Sequence, residues 1–406
     1  MLKAAFAALK HRNYRLLWIG TLLSNTGDRI DQLALNWLVY DMTGSAYYLA
    51  LVNLCRGIPM VLFTLLGGAF ADRTERRAMM LITQSCAMVL ALLLAGIVAT
   101  GSSNIWAVLL VAAGRGAVVA FNMPTRHSMI GELVPREDMA NAVALNSLTM
   151  NMTKIVGPAL AGLIISTLGT LACFLINAVS FVFVLATLVA MRFPPAVVDP
   201  AAAPRRNIWR SILEGFAYIR QDRTVMTLLL IAMVPTFFGQ SFVTLLVVFV
   251  QEVFFVGPEG LGLLTSCVAV GSVLGAFAMA ARSRRLIRGV TMMRWLLAFG
   301  AALLAFGYNT SFLIAPLILA VAGMAQVTYS ATNNTLLQLR LPDQLRGRVM
   351  SIMLLNRALV PLGGATAATL SQHFGPGPVM ICFGGLIIVF AGLILLFYPP
   401  IGRITG

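Results

Sequence analysis

Charge is scarce in this 406-residue chain: Asp, Glu, Lys and Arg together make up 11% of it, where soluble domains carry roughly 25%. A water-soluble globule or a charged disordered tail is excluded. Histidine occurs only three times, as His11, His127 and His373 in different loops, so no metal cage or Ser-His-Asp triad assembles around it. The five cysteines, Cys55, Cys86, Cys173, Cys267 and Cys382, sit singly in apolar runs without a CxxC pair. They read as buried thiols, not a disulfide framework or a zinc site. GxxxxGK[ST] and HExxH are missing, which removes a built-in ATP motor and a zinc hydrolase. Acids are the scarcest charge, 14 against 29 Lys and Arg, for a net +15. The basic surplus punctuates apolar runs and does not cover one polar face, so a cytoplasmic membrane surface explains it better than nucleic acid.

What the chain does have is apolar length: 59% of it is hydrophobic. A spanning helix needs about 20 mostly apolar residues. Twelve runs qualify, near 14–40, 45–70, 78–99, 104–124, 141–166, 170–192, 224–250, 260–281, 291–309, 311–336, 349–371 and 378–400. The first is too long for a cleaved leader. An even number of crossings puts both termini on one side. The alternate links near 41–44, 100–103, 167–169, 251–259, 310 and 372–377 contain no Lys or Arg. The termini are therefore expected on the cytoplasmic side. The short outer links leave no room for an extracellular domain.

The longest polar stretch, 193–223, lies halfway along. It begins with a Pro/Ala linker and continues as an amphipathic pattern, with Ile208, Ile212, Phe216 and Ile219 at helical spacing. A helix lying on the inner membrane surface is expected there. On either side the halves repeat. Gly68-Ala69-Phe70-Ala71 returns as Gly275-Ala276-Phe277-Ala278, and Val134-Pro135 as Leu341-Pro342, both 207 residues later. The expected organisation is a six-helix bundle over 1–192, a cytoplasmic linker over 193–223 and a second six-helix bundle over 224–406, with a substrate site between the repeats.

The link after the second run reads Gly68, Asp72, Arg73, Thr74, Glu75, Arg76, Arg77. Taken alone it is a positive-inside anchor. Its spacing resembles the G-x3-D-R-x-G-R-R loop of the major facilitator superfamily, with Glu75 in place of the second glycine. The matching link from Gly275 to Arg285 has Met279 where the aspartate would stand. Gly157, Pro158 and Gly162 in the fifth run resemble the end of that superfamily's antiporter motif, G-P-x-x-G-G, with Ala161 replacing one glycine and Thr153 replacing another of the motif's ladder. Asn13-Tyr14-Arg15-Leu16-Leu17-Trp18, Trp37-Leu38-Val39-Tyr40, Val134-Pro135-Arg136-Glu137-Asp138 and Leu345-Arg346-Gly347-Arg348-Val349 look like the macrolide-efflux and enterobactin-exporter branch. The resemblance implies the major facilitator fold, a latch at Gly68, Asp72, Arg73, Arg76 and Arg77, and export of amphipathic molecules by proton antiport. Arg115 matches the fourth-helix arginine near the antiporters' proton path, although Val119 stands where a glycine is expected.

Ionisable residues inside spanning runs are costly and so informative. They are Asp28, Arg29, Asp31, Arg56, Arg115, Lys154 and Arg357. At about 1.5 Å per residue, Asp28, Arg56, Arg115 and Lys154 lie roughly 16–20 Å from one helix end, near the midplane. Asp28 and Asp31 share a helix face, while Arg29 points elsewhere. A structural ion-pair network is the plain reading of these groups. Proton coupling through Asp28, Asp31, Arg56 and Arg115 is the functional one. Asp28 is favoured as carrier because it lies nearer the helix centre and follows Gly27, where another helix can approach. Asn36, Asn53, Lys154, Gln240, Gln326, Asn333 and Arg357, with Tyr329 and Asn356, are candidates for the substrate cavity.

The expected fold is thus an all-α membrane protein of twelve transmembrane helices in two pseudo-symmetric bundles. The expected function is secondary, proton-coupled export of a drug, siderophore or metabolite from the bacterial inner membrane. The chain would act as a monomer among membrane lipids, with no cofactor, metal or nucleic acid. Uptake by symport or uniport is the first alternative. A membrane enzyme is the second, and it would need a catalytic cluster at a membrane face.

Overall fold

The computed structural model describes residues 6–71, 75–102, 104–191, 219–281, 288–342, 349, 353, 356–398 and 400–401. Among these, helix is the dominant structure. The helices are α1 (Arg12–Thr43), α2 (Ala46–Ala71), α3 (Arg76–Ala99), α4 (Ile105–Leu133), α5 (Met139–Ala190), α6 (Arg223–Gly239), α7 (Phe242–Val248), α8 (Pro258–Ala281), α9 (Gly289–Tyr308), α10 (Ala315–Arg340), α11 (Asn356–Phe374) and α12 (Pro376–Phe397). A short 3-10 turn, Ala7–Lys10, precedes α1, and one π turn, Phe249–Val253, follows α7. Each of the twelve apolar runs overlaps helix in the described residues.

Local chemistry sets the breaks. Gly44 ends α1 in the left-handed region at φ 57, its N–H donating to the Tyr40 carbonyl at 2.7 Å, a conformation glycine adopts at no steric cost. The Asn104 side chain caps α4 by accepting from the N–H groups of Trp106 and Ala107 at 3.1 and 3.3 Å. Asp222 caps α6 in the same way, through Thr224 and Val225 at 2.8 and 3.2 Å. Pro59, Pro158, Pro235 and Pro361 all stand inside helices, as membrane helices tolerate.

Nine helical segments among the described residues are long and apolar enough to cross a membrane. One of them, Arg136–Ala190, has 55 residues, far more than one crossing of a ~30 Å hydrocarbon layer takes. It breaks at Gly169, where φ is 78, and so carries two crossings. Helix α1 falls outside the nine and is the helix that holds Asp28, Arg29 and Asp31. The chain is an all-α, multi-pass membrane protein.

The chain divides into two compact units. The first comprises Met1–Gly44, Leu51–Pro204 and Gly257–Gly262; the second comprises Ser45–Ala50, Arg205–Val256 and Leu263–Gly406. Most of the linker and its amphipathic pattern, residues 192–218, lie outside the described residues.

Helices of the first unit approach through small residues, as membrane helices do without a hydrophobic force between them. A Cβ on Gly27 would come within 2.5 Å of Ser180 Oγ and 2.6 Å of Asn177 Oδ1, so α5 does close on α1 beside Asp28. A Cβ on Gly157 would meet Arg29 Cβ at 2.4 Å, and one on Gly162 the Pro258 carbonyl at 2.6 Å. Gly116 on α4 is tighter still, with the Arg56 carbonyl of α2 only 2.0 Å from the position of its Cβ. In the second unit Gly323, 207 residues later, stands 2.1 Å from the Val268 carbonyl in the same sense. The repeat spacing thus recurs as a packing device. Gly116→Val is expected to push α2 and α4 apart and sharply lower the yield of folded protein in a detergent size-exclusion profile, whereas a substitution at Gly96, which has open space, should leave it unchanged.

Candidate functional site

The ionisable residues of α1, α2 and α4 converge inside the first unit. Arg115 donates to the Asp31 carboxylate in a close ion pair, and its other terminal nitrogen lies 3.8 Å from Asp28. The two acids are not equivalent. The Asp31 side chain is 1% exposed, and its Oδ1 has no hydrogen-bond partner. The Asp28 side chain is 42% exposed and lines a cavity of about 50 Å³ together with Arg56, Arg115 and Arg126. Ser24, Asn25, Gln84 and Asn122 give that cavity neutral polar walls. That volume is room for a small cluster of waters. A proton could therefore reach Asp28 through water, while Asp31 is sealed behind Arg115.

Arg126 is the member that sequence reading missed. The apolar run stops near residue 124, which assigned Arg126 to the inner link. Helix α4 instead continues to Leu133, and Arg126 is buried, donating to Asn25 Oδ1 at 2.9 Å. Arg115, Asn122 and Arg126 are spaced seven and four apart, one helix face, and all three line the cavity. That spacing was the available signal.

The other candidates separate. Asn53 donates to Asn36 at 3.5 Å within the first unit. Lys154 is exposed and does not line the Asp28 cavity. In the second unit Gln240 and Gln326 are half-buried. Asn333 is buried with neither side-chain polar atom bonded, Tyr329 packs on Phe299 with ring centroids 5.7 Å apart, and Asn356 donates to Ala232 O and Thr236 Oγ1. The side chain of Arg357 lies outside the described residues.

Of the latch, Asp72, Arg73 and the Gly68 side-chain position also lie outside the described residues. Arg76 pairs with Glu132 and donates to the Ser128 carbonyl at 3.3 Å. Arg77 donates to the carbonyls of Leu188 and Val189 at 3.0 and 2.9 Å, capping the end of α5. Nearby, Lys10 and His11 both reach Asp138 Oδ2 at 2.8 Å, and Asn141 accepts the Ala8 N–H at 2.9 Å. Hydrogen bonds from Lys10 and then His11 hold the Asp138 carboxyl below the usual carboxylate range, and Asp138 raises Lys10. This tether is therefore complete above the ordinary aspartate range, near pH ~4, and is lost as pH falls through the lowered value. Asp138→Asn should speed hydrogen exchange in Ala7–Lys10 at neutral pH, whereas wild type should show that speeding only in strong acid.

The family model described as a transmembrane secretion effector, of the major facilitator superfamily, matches residues 3–399. The chain belongs to that family. Among curated proteins the transporter is 28% identical to the multidrug efflux pump Tap of Mycolicibacterium fortuitum, covering 89% of each chain. It is 26% identical to the staphyloferrin A transporter of Staphylococcus aureus over 86% of this chain and 87% of that protein. It is 23% identical to macrolide efflux protein A of Streptococcus pyogenes over 93% and 95%. A solved bacterial homologue of the lysosomal transporter Spinster, inward-facing and occupied, shares the fold at TM-score 0.74 and 17% identity, covering 97% of both chains. The nucleoside transporter NupG does so at TM-score 0.70 and 15% identity, over 95% and 99%. The chain is a major facilitator transporter, not an enzyme. It is embedded in a membrane and acts on a small molecule.

Proposed function

We propose that this transporter exports a small amphipathic molecule, a drug, siderophore or metabolite, across the bacterial inner membrane in exchange for protons, with both termini cytoplasmic and the chain acting as a monomer. The two halves, 1–192 and 224–406, alternate access to the substrate, and the latch residues from Gly68 to Arg77 bias that equilibrium. Asn36, Asn53, Lys154, Gln240, Gln326, Asn333 and Arg357 are the residues proposed to contact the substrate. Asp28 carries the proton.

One observation supports this reading above the others: two carboxylates share Arg115, and only Asp28 also faces a cavity. Asp31 fixes the guanidinium, which leaves Asp28 the looser partner, free to gain and lose a proton. Export by the efflux-named relatives supports the direction. A thermal-stability screen with cationic drugs, siderophores and sugars identifies a binder, because a ligand of the folded state raises its apparent stability. Uptake of that binder into everted vesicles should require the proton gradient and stop with a protonophore. Uptake unchanged by the protonophore would contradict proton coupling.

A further inference from the structure

The charges around Asp28 do not cancel. Arginine stays protonated in proteins, so Arg56, Arg115 and Arg126 bring three fixed cations to the cavity, against Asp28 on its wall and Asp31 behind it. Both acids pair with Arg115. Arg56 has no carboxylate within 4.0 Å among the described residues. Arg126 is only 7% exposed; it donates to the neutral Asn25, and its Nε has no acceptor among the described residues. An unpaired cation buried in a membrane protein is costly, and such groups face partners or function.

We infer that this cavity binds a small anionic group, of carboxylate or halide size, in the combined field of Arg56 and Arg126. The volume decides the size class. About 50 Å³ accommodates an anion with a few waters, but not a whole drug-sized molecule, whose pockets run to roughly 300–1,000 Å³. Ser24 and Gln84 offer a hydroxyl and an amide donor to the same anion. The group has two sources of the same chemistry, a free anion resident through the cycle or the acidic group of the substrate. The inference rests on the transporter reading for the relevance of the cavity, and not on Asp28 carrying a proton.

The test is thermal unfolding of the purified transporter in sodium acetate, sodium chloride and sodium gluconate at matched ionic strength. Acetate and chloride should raise Tm saturably and gluconate should not. Asp28→Asn removes a like charge beside the anion and should lower the half-saturating acetate concentration about tenfold. Arg126→Gln and Arg56→Gln should each raise it about tenfold, and Arg126→Lys, which keeps the charge, should retain the response. Equal Tm in the three salts, or an acetate response unaltered in both glutamine variants, overturns the inference; so does weaker acetate binding in Asp28→Asn. Transport of a compound found by the stability screen then separates the sources. Loss of transport in gluconate, restored by acetate, identifies a resident anion. Unimpaired transport in gluconate with competition by acetate identifies the substrate's own acidic group. In that case proton and substrate load together, which would contradict exchange for protons while leaving the anion site standing.

Discussion

Replacing Arg115 with leucine should cost the transporter about 3–5 kcal/mol of stability, the penalty for breaking a buried pair and leaving one charge behind. The reason lies in Asp31. Its side chain is 1% exposed, one of its oxygens is already without a partner, and Arg115 is its only ion-pair partner among the described residues. Asp28 gains little by comparison, since 42% of its side chain is exposed. The expected readout is a lower unfolding temperature in detergent and a smaller monodisperse size-exclusion peak. The double variant Arg115→Leu, Asp31→Leu removes both charges together and should recover most of the loss. A single variant as stable as wild type would mean that Asp31 is hydrated, and the sealed ion pair would have to be abandoned.

The second large effect is functional. Asp28→Asn should abolish gradient-driven export, a loss of at least about tenfold, while leaving substrate binding and folded yield close to wild type. Asparagine keeps the size and hydrogen bonds of the side chain but carries no exchangeable charge. The acid inventory leaves few substitutes: the other carboxylates of α1 are Asp31, which is locked to Arg115, and Asp41, exposed at the end of the helix. Asp31→Asn should act chiefly on stability. Full gradient-driven transport by the Asp28→Asn, Asp31→Asn double variant would rule out both as the proton carrier.

Sequence made the membrane fold readable because a spanning helix has to be written as a long apolar run, and each such run overlaps helix in the described residues. The Asp28–Asp31–Arg115 cluster was readable for a related reason: charges so rarely stand inside those runs that they point to one another. Arg126 escaped because an apolar run need not end where its helix ends, and α4 extends to Leu133. Lys154 shows the converse limit. Its depth along α5 was readable, but depth says nothing about which way a side chain faces, and Lys154 is exposed. The close approach of Gly116 to Arg56 was equally hidden, since a glycine inside a helix names no partner until the second helix is in place.

The most direct measurement is proton release when substrate binds. The purified transporter is placed in weakly buffered detergent with a pH-sensitive dye, and a compound from the stability screen is added. Exchange through Asp28 predicts that the wild-type protein releases protons as the compound binds, with a pH-dependent amplitude, and that Asp28→Asn binds the compound but releases none. Proton release of equal size from Asp28→Asn would contradict the assignment of Asp28 as the proton-carrying residue.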